Sequence, residues 1–343
     1  MLRVGVFGAA GYGGVELLRL LLRHPEVEIT YVAELQTGRR ISDFYPHLRD
    51  VCDLMTEESD VAEAARRADF LFFCLQPGVG TAMVRDAVAT GKKVADFSAD
   101  FRLKSVEVYE QHYDKHAAPD LVGKAPYGMP ELHREEIRGA DFVAVPGCHP
   151  TAAILAAAPL VKEPLVDLSS IVIDSKTGIS GVGRSHINLL NHYPEAAETV
   201  AAYAMPRHRH VPEIEQELSC VAGAEVKVTF APSRVPVVRG ILATVFATLR
   251  DPDADLQSAY EEFYADEPFV RVMPAGELPS TKHVSGTNYV DVAVCRDDVC
   301  GRVVAFGVTD NIVKGLSGAA VQCMNLMCGF DETTGLDVIN VWP

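Results

Sequence analysis

The residues with the strongest chemical potential lie in Val145-Pro146-Gly147-Cys148-His149-Pro150-Thr151-Ala152. A single cysteine stands between a strand-like run, Asp141 to Val145, and an alanine-rich helical pattern. Pro150 fits the first helical position, where a missing N–H costs nothing. Cys148 then falls just before a helix N-terminus, where unpaired N–H groups and the positive end of the dipole favour a thiolate. That placement suggests covalent catalysis by the sulfur, set against the ordinary role of a free cysteine as a small buried hydrophobe. A nucleophilic thiol needs a base, and His208-Arg209-His210-Val211-Pro212-Glu213 offers two. Pro212 can open a helix, so both histidines are expected in an extended lead-in, where alternation puts His208 and His210 on one side. Paired histidines also bind metals, but no carboxylate or cysteine at a matching spacing accompanies them.

Anion-binding groups come next. In Asp96-Phe97-Ser98-Ala99-Asp100-Phe101-Arg102, at the end of a strand, Ser98 and Arg102 are placed to hold an anion, or else to cap a turn. Ser175-Lys176-Thr177-Gly178-Ile179-Ser180-Gly181-Val182-Gly183-Arg184 follows another strand. Its glycines allow close backbone approach to a ligand, and Arg184 is a candidate for a carboxylate.

The first residues carry a second signature. Leu2 to Phe7 is apolar and strand-like, Gly8-Ala9-Ala10-Gly11-Tyr12-Gly13-Gly14 follows, and Val15 to Leu22 has helical periodicity. The spacing G-x-x-G-x-x-G (Gly8, Gly11, Gly14) is a variant of the dinucleotide fingerprint, in the strand–turn–helix context that the fingerprint requires. After the second strand, Glu34 stands where an acidic residue takes the ribose hydroxyl of NAD. Thr37, Arg39 and Arg40 follow at once, and a hydroxyl with two guanidinium groups suits a 2′-phosphate. NADP(H) is therefore the expected cofactor.

These groups need a scaffold. Strand candidates Leu2–Phe7, Val27–Val32, Phe70–Leu75, Lys93–Asp96 and Phe142–Val145 alternate with helix candidates Val15–Arg23, Val61–Arg67 and Met83–Thr90. That alternation predicts an α/β fold with an N-terminal Rossmann-type parallel sheet. After the Cys148 helix the candidates become β-branched and alternating: Ser169–Asp174, Val226–Ala231, Ile241–Thr248, Phe269–Val272, Tyr289–Cys295 and Val303–Val308. Helices there are fewer, notably Pro212–Leu218 and Leu256–Tyr264. An α+β catalytic domain with a mixed or antiparallel sheet is expected. A final helix over Ile312–Cys328 is long enough to return to the first domain, which gives 1–147 with 312–343 as one domain and 148–311 as the other.

Composition agrees with a two-domain enzyme. The 343 residues are 48% hydrophobic and 23% charged, with a formal net charge of −16 and no basic block. Nucleic-acid binding is not expected. No apolar stretch reaches membrane-spanning length, and Met1-Leu2-Arg3 runs straight into a strand. The eight cysteines form no C-x-x-C pair. A cytoplasmic chain with reduced thiols and no metal is expected.

Taken together the motifs resemble a known family. Gly8 to Gly14 with Glu16-Leu17, Tyr127-Gly128-Met129-Pro130-Glu131-Leu132, Pro146 to Ala152, Gly178 to Arg184, His208 to Ile214 and Lys314-Gly-Leu-Ser-Gly-Ala-Ala-Val-Gln322 resemble N-acetyl-γ-glutamyl-phosphate reductases of arginine biosynthesis. The resemblance spans essentially the whole chain, in order. The departures are Met129 for leucine, Val182 for alanine and Gln76-Pro77-Gly78 for Pro-His-Gly. The family belongs with the aspartate-semialdehyde dehydrogenases.

The resemblance implies NADPH-dependent reduction of an acyl phosphate to an aldehyde through a thioester on Cys148, with a small-molecule substrate and a homo-oligomer, dimer or tetramer. It implies His210 as acid/base, with His208 the close alternative. It places Arg102 at the leaving phosphate, Arg184 and His208 at the substrate α-carboxylate, and Asn311, with Ser180 and Gly181, at the cofactor. The sister reductase of lysine biosynthesis, acting on a carrier-bound aminoadipyl phosphate, shares most of these motifs. A strongly acidic carrier calls for a basic rim, and the acidity of this chain argues against it. A non-catalytic NADP-binding regulator would have no use for Cys148 and two histidines.

Overall fold

The computed structural model describes residues 1–185 and 187–342. The chain divides into two compact units. The first is Met1–Pro146, Gly183–Ser185 and Leu316–Asp337, and the second takes 147–182, 187–315 and 338–342. The helices of seven residues or more are α1 to α8.

The first unit is β1 (Leu2–Phe7), α1 (Tyr12–Leu21), β2 (Val27–Ala33), α2 (Val61–Arg67), β3 (Phe70–Phe73), α3 (Thr81–Ala89), β4 (Lys93–Asp96), α4 (Pro130–Arg138) and β5 (Phe142–Ala144). All five strands are parallel, in the order β2-β1-β3-β4-β5. Helices cover both faces, so β3 is an unbroken apolar run, Phe-Leu-Phe-Phe, buried throughout. The order reverses beside β1, and the crevice at that switch point opens at its carboxyl end, where the glycine-rich turn lies.

The second unit opens with α5 (Cys148–Lys162). There follow β6 (Val172–Thr177), β7 (Ala201–Ala202), α6 (Val211–Ala222), β8 (Thr229–Arg234), β9 (Ile241–Thr248), α7 (Leu256–Phe263), β10 (Val270–Val272), β11 (Val290–Asp297) and β12 (Arg302–Thr309). The sheet is mixed, in the order β10-β11-β12-β9-β6-β8-β7. The alanines of α5 let it lie directly on the sheet. A Cβ built at Gly307 of β12 would come within 2.2 Å of the Ala152 carbonyl oxygen. Pro159 inside α5 has no N–H to give the Leu155 carbonyl, and the Tyr264 hydroxyl donates there instead, as Tyr260 does to Ala156 O. The sheet's other face carries Val172, Leu242, Phe246, Val304 and Phe306, all half-buried.

α8 (Gly318–Cys328) follows a π-helical turn at Val313–Ser317 and belongs to the first unit, packed against α1, α4 and β4. Every residue from Gly318 to Met327 is buried.

A parallel Rossmann-type unit and a mixed-sheet unit are the expected architecture. Several expected boundaries shift. The expected Ser169–Asp174 and Val226–Ala231 are strands at Val172–Thr177 and Thr229–Arg234, each displaced three residues toward polar sequence. The single helix expected over Ile312–Cys328 is a π turn followed by an α-helix. Cys148 is itself the first helical residue with Gly147 as N-cap, so Pro150 sits at the third helical position rather than the first. Among the described residues, no helix is long and apolar enough to cross a membrane.

Candidate active site

Cys148 stands at the open end of α5. Gly147 caps the helix with extended backbone (φ −73°, ψ 149°) and no side-chain cap. Its own N–H donates to Glu213 Oε1 of α6 at 2.7 Å, while its carbonyl accepts from Thr151 N and Thr151 Oγ1. An anion at the sulfur therefore lies at the positive end of a fifteen-residue helix fixed from two sides. Gly315 of the π turn passes against it. A Cβ there would stand 2.9 Å from Cys148 Cβ.

Around this helix end the second unit gathers His149, His208, His210, Tyr203 and Phe230. The ring centres of His149 lie 5.7 Å from His208 and 5.9 Å from His210, and those of His208 and His210 are 4.8 Å apart. His149 is fully engaged. Nδ1 meets Ser175 Oγ at 2.6 Å and Nε2 meets Tyr203 Oη at 2.8 Å. Burial, with the neighbouring His208 second, pushes it down to about 3. His208 Nδ1 accepts the backbone N–H of His210 at 3.1 Å, which leaves its proton on Nε2. Burial, with Arg209 second, lowers it to about 4. Both rings are thus neutral near pH 7. Burial and then the nearby Cys148 sulfur raise the Tyr203 hydroxyl.

The two histidines meet for a reason other than the expected one. His210 is not extended but lies in the αR region (φ −88°, ψ −9°) as N-cap of α6, and a turn at 209–210 folds its backbone onto the His208 ring. Sequence reasoning assigned no role to His149, Tyr203, Ser175 or Glu213. His149 alone had a signal, its place beside Cys148.

Asn311, Ser180 and Gly181 also come together in the second unit. Asn311 Nδ2 donates to Ser180 Oγ at 3.0 Å and its Oδ1 accepts Gly240 N at 2.8 Å. A Cβ at Gly181 would sit 3.6 Å from Asn311 Nδ2.

The first unit holds the other expected residues. The turn from Gly8 to Gly14 admits nothing larger at its ends. Gly8 has φ +81°, and a Cβ at Gly14 would lie 2.3 Å from Gly8 O. Gly11 is the N-cap of α1 and has no side-chain cap, while Tyr12, Gly13 and Gly14 open the helix. A bare helix N-terminus over a glycine cradle fits the pyrophosphate of a dinucleotide. Glu34 is turned inward and accepts Ala10 N at 2.7 Å, so it braces the turn. Thr37, Arg39 and Arg40 are exposed beyond β2. Arg39 bonds Gln36 Oε1 at 2.7 Å and lies over the Phe44 ring, and Arg40 stands 3.6 Å from Asp53.

Two arginines are placed otherwise than expected. Arg184, expected at a substrate carboxylate, falls in the first unit. Its guanidinium donates to Ala10 O of the glycine-rich turn and to Phe44 O, and stacks 4.5 Å over Tyr45. Arg102, expected at a leaving phosphate, is 7% exposed, with Nε on Val145 O and Nη2 on Phe97 O, both at 2.7 Å. Beside it, Ser98 donates to Asp96, whose carboxyl burial raises to about 7.

A parallel nucleotide-binding unit and a mixed-sheet unit with a helix-borne cysteine define a class, and the comparisons agree on it. The family model described as "Semialdehyde dehydrogenase, NAD binding domain" matches residues 3–140, and "Semialdehyde dehydrogenase, dimerisation domain" matches 148–311. Solved structures share the fold. Aspartate semialdehyde dehydrogenase II from Vibrio cholerae has a TM-score of 0.72 at 18% identity, covering 96% of this chain and 98% of that one. The Candida albicans enzyme, solved with NADP, has the same score at 16% identity and the same coverage.

Within that class the relatives are more specific. N-acetyl-γ-glutamyl-phosphate reductases of Desulforudis audaxviator and Symbiobacterium thermophilum are 47% and 49% identical, each over at least 99% of both chains. The chain belongs to the N-acetyl-γ-glutamyl-phosphate reductase family of oxidoreductases, and its first unit carries the family's NAD-binding domain.

Proposed function

We propose that this protein reduces N-acetyl-L-glutamyl 5-phosphate to N-acetyl-L-glutamate 5-semialdehyde and phosphate, with NADPH as reductant, in arginine biosynthesis. The observation that carries the chemistry is Cys148 at the open N-terminus of α5, ringed by His149, His208, His210 and Tyr203. Cys148 Sγ attacks the acyl carbon, the bond to the phosphate oxygen breaks, and a thioester remains. The nicotinamide, when bound, supplies the hydride that reduces this carbon. Collapse of the hemithioacetal then releases the aldehyde and restores the sulfur.

His210 is the acid/base in this reading. It takes the thiol proton and protonates the hemithioacetal oxygen. The tautomer of His208, with Nδ1 already occupied, and the two occupied nitrogens of His149 favour His210 for the task. Gly8, Gly11, Tyr12, Gly13 and Gly14 cradle the pyrophosphate, Thr37, Arg39 and Arg40 read the 2′-phosphate, and Ser180, Gly181 and Asn311 serve the nicotinamide end. The contacts of Arg184 with the glycine-rich turn favour a part in holding the cofactor. Those of Arg102 favour positioning of the segment that leads from Val145 to Cys148.

The dimerisation-domain match supports a homo-oligomer. The half-buried apolar face of the mixed sheet, with Phe246, Val304 and Phe306, is the surface we assign to the second copy. Our assignment places the protein in the cytoplasm.

The test is the reverse reaction, phosphate-dependent NADP⁺ reduction, with three aldehydes. N-acetyl-glutamate semialdehyde is expected to give the highest kcat/KM. Aspartate semialdehyde or unacetylated glutamate semialdehyde turning over equally well would overturn the substrate assignment.

A further inference from the structure

A buried carboxylate holds the loop that follows β3. Asp100 is 1% exposed. The Gly78 N–H donates to both of its carboxylate oxygens, at 3.1 and 3.0 Å, and the Thr81 hydroxyl donates to Oδ2. From another segment the Tyr109 hydroxyl donates to Oδ1 at 2.7 Å. His116 Nε2 meets the Asp100 carbonyl at 2.7 Å, and Asp100 N donates to Ser98 Oγ at 3.1 Å, so the backbone of Asp100 is fixed as firmly as its carboxylate.

The loop is shaped to take such an anchor. Gln76-Pro77-Gly78-Val79 closes through Val79 N on Gln76 O at 3.1 Å, with proline second and a glycine of φ +78° third, the pattern of a type II turn. The closing bond uses the Val79 N–H. The Gly78 N–H, on the central peptide, is left for a partner outside the turn, and Asp100 is that partner. The same carboxylate serves α3, whose N-cap Gly80 offers no side chain and whose first turn holds no acidic residue.

Position gives this loop its use. The order of the parallel sheet reverses between β1 and β3. A dinucleotide lies across such a reversal, one half on each side. The glycine-rich turn and the loop after β2 take the half with the 2′-phosphate, so the loop after β3 borders the nicotinamide half. It passes so near the glycine-rich turn that a Cβ on Gly8 would stand 2.5 Å from Cys74 O. Beyond that contact Gln76, Gly78 and Val79 are exposed. We propose that Asp100 is a positioning residue for the nicotinamide half of the cofactor, holding the 76–79 turn in the shape which that half binds. This rests on the NADPH reading above. A turn ordered in advance loses less conformational freedom on binding, so the anchor is read as affinity for that half alone.

The test is calorimetric binding of NADPH and of 2′-phospho-ADP-ribose, which lacks the nicotinamide, to wild type, Asp100→Asn and Thr81→Val. Because Gly78 N is equally near both oxygens, Asp100→Asn sets an NH2 against the Gly78 N–H whichever way the amide turns. Kd for NADPH is expected to rise about tenfold or more, with Kd for 2′-phospho-ADP-ribose unchanged. Thr81→Val removes one donor and keeps the carboxylate, and should give a smaller loss with the same selectivity.

A carboxylate that only caps α3 would, once changed, weaken both ligands alike or neither, and either result overturns the proposal. If Asp100→Asn shows no cooperative thermal transition, Thr81→Val decides alone: a loss confined to NADPH supports the proposal, and equal or absent losses overturn it. A wild type that binds neither molecule overturns the cofactor reading, and the proposal with it.

Discussion

At the scale of single residues, the proposed mechanism divides the work unequally between the sulfur and the three histidines. Cys148→Ser keeps the shape and loses the nucleophile, so turnover should fall by about three orders of magnitude or more with NADPH affinity intact. A serine variant holding a tenth of the rate would sink the thioester. The histidines separate by their hydrogen bonds. His210→Asn is expected to collapse kcat and flatten the histidine limb of the pH profile, whereas His208→Asn acts mainly through KM. The reverse pattern in the two profiles would exchange their roles. The buried neutral rings also tie stability to pH. His149 and His208 have native values of about 3 and 4, below the ordinary 6.5, so the unfolded chain binds protons first on acidification. Their contribution is complete above pH 6.5 and drains away as pH falls toward 4, by roughly 3 kcal/mol for His208. Asp96, raised to about 7, slopes the opposite way, so the effect is read as a difference. Thermal unfolding of His208→Asn between pH 7 and 4 should show a shallower decline than wild type, and parallel curves would contradict it. Cys148 and the His208–His210 pair were legible because their types and spacing are unusual. Tyr203, Ser175 and Glu213 were not, since they are ordinary residues brought in from separate segments by the fold.

At the scale of elements, the proposed cofactor site spans the glycine-rich turn and the loop after β2. Gly14→Ala places a Cβ within 2.3 Å of Gly8 O and should abolish NADPH binding. The double change of Arg39 and Arg40 to alanine should instead raise KM for NADPH about tenfold or more and leave NADH nearly untouched, since only one of the two carries the 2′-phosphate. Equal losses on both cofactors would show that the arginines do not read it. The strands of the parallel sheet were legible from their apolar runs. The ends of β6 and β8 were missed because Ser175-Lys176-Thr177 and Ser233-Arg234 are polar, although Ser175 and Thr177 are buried and the Ser175 hydroxyl is bonded to His149. The turn at 209–210 was hidden for a different reason. Pro212 fixed where α6 begins, but nothing in the local sequence distinguishes a turn from an extended lead-in one residue earlier.

At the scale of the whole molecule, the half-buried apolar face of the mixed sheet is the surface proposed for a second copy. Phe306→Asp in the middle of that face should shift the protein to monomers in analytical ultracentrifugation while its secondary structure persists. An unchanged sedimentation coefficient would place the interface elsewhere. The return of the chain to its first unit was foreseeable from the length of the last apolar pattern. The visit of Gly183–Ser185 was not, for three residues carry no periodicity. The late return has a consequence in time. α8 lines the interior of the first unit, and the Ser317 hydroxyl holds Gly13 O of the glycine-rich turn at 2.7 Å. The ribosome makes these residues about 170 positions after Pro146. At about 5–20 residues per second, the nucleotide-binding unit waits roughly 10 to 30 s for its own wall. Until then the apolar sides of α1 and α4 stand bare in the nascent chain. The unit translated first is thus among the last to close, and a stop codon near position 315 would unmake the beginning of the protein rather than its end.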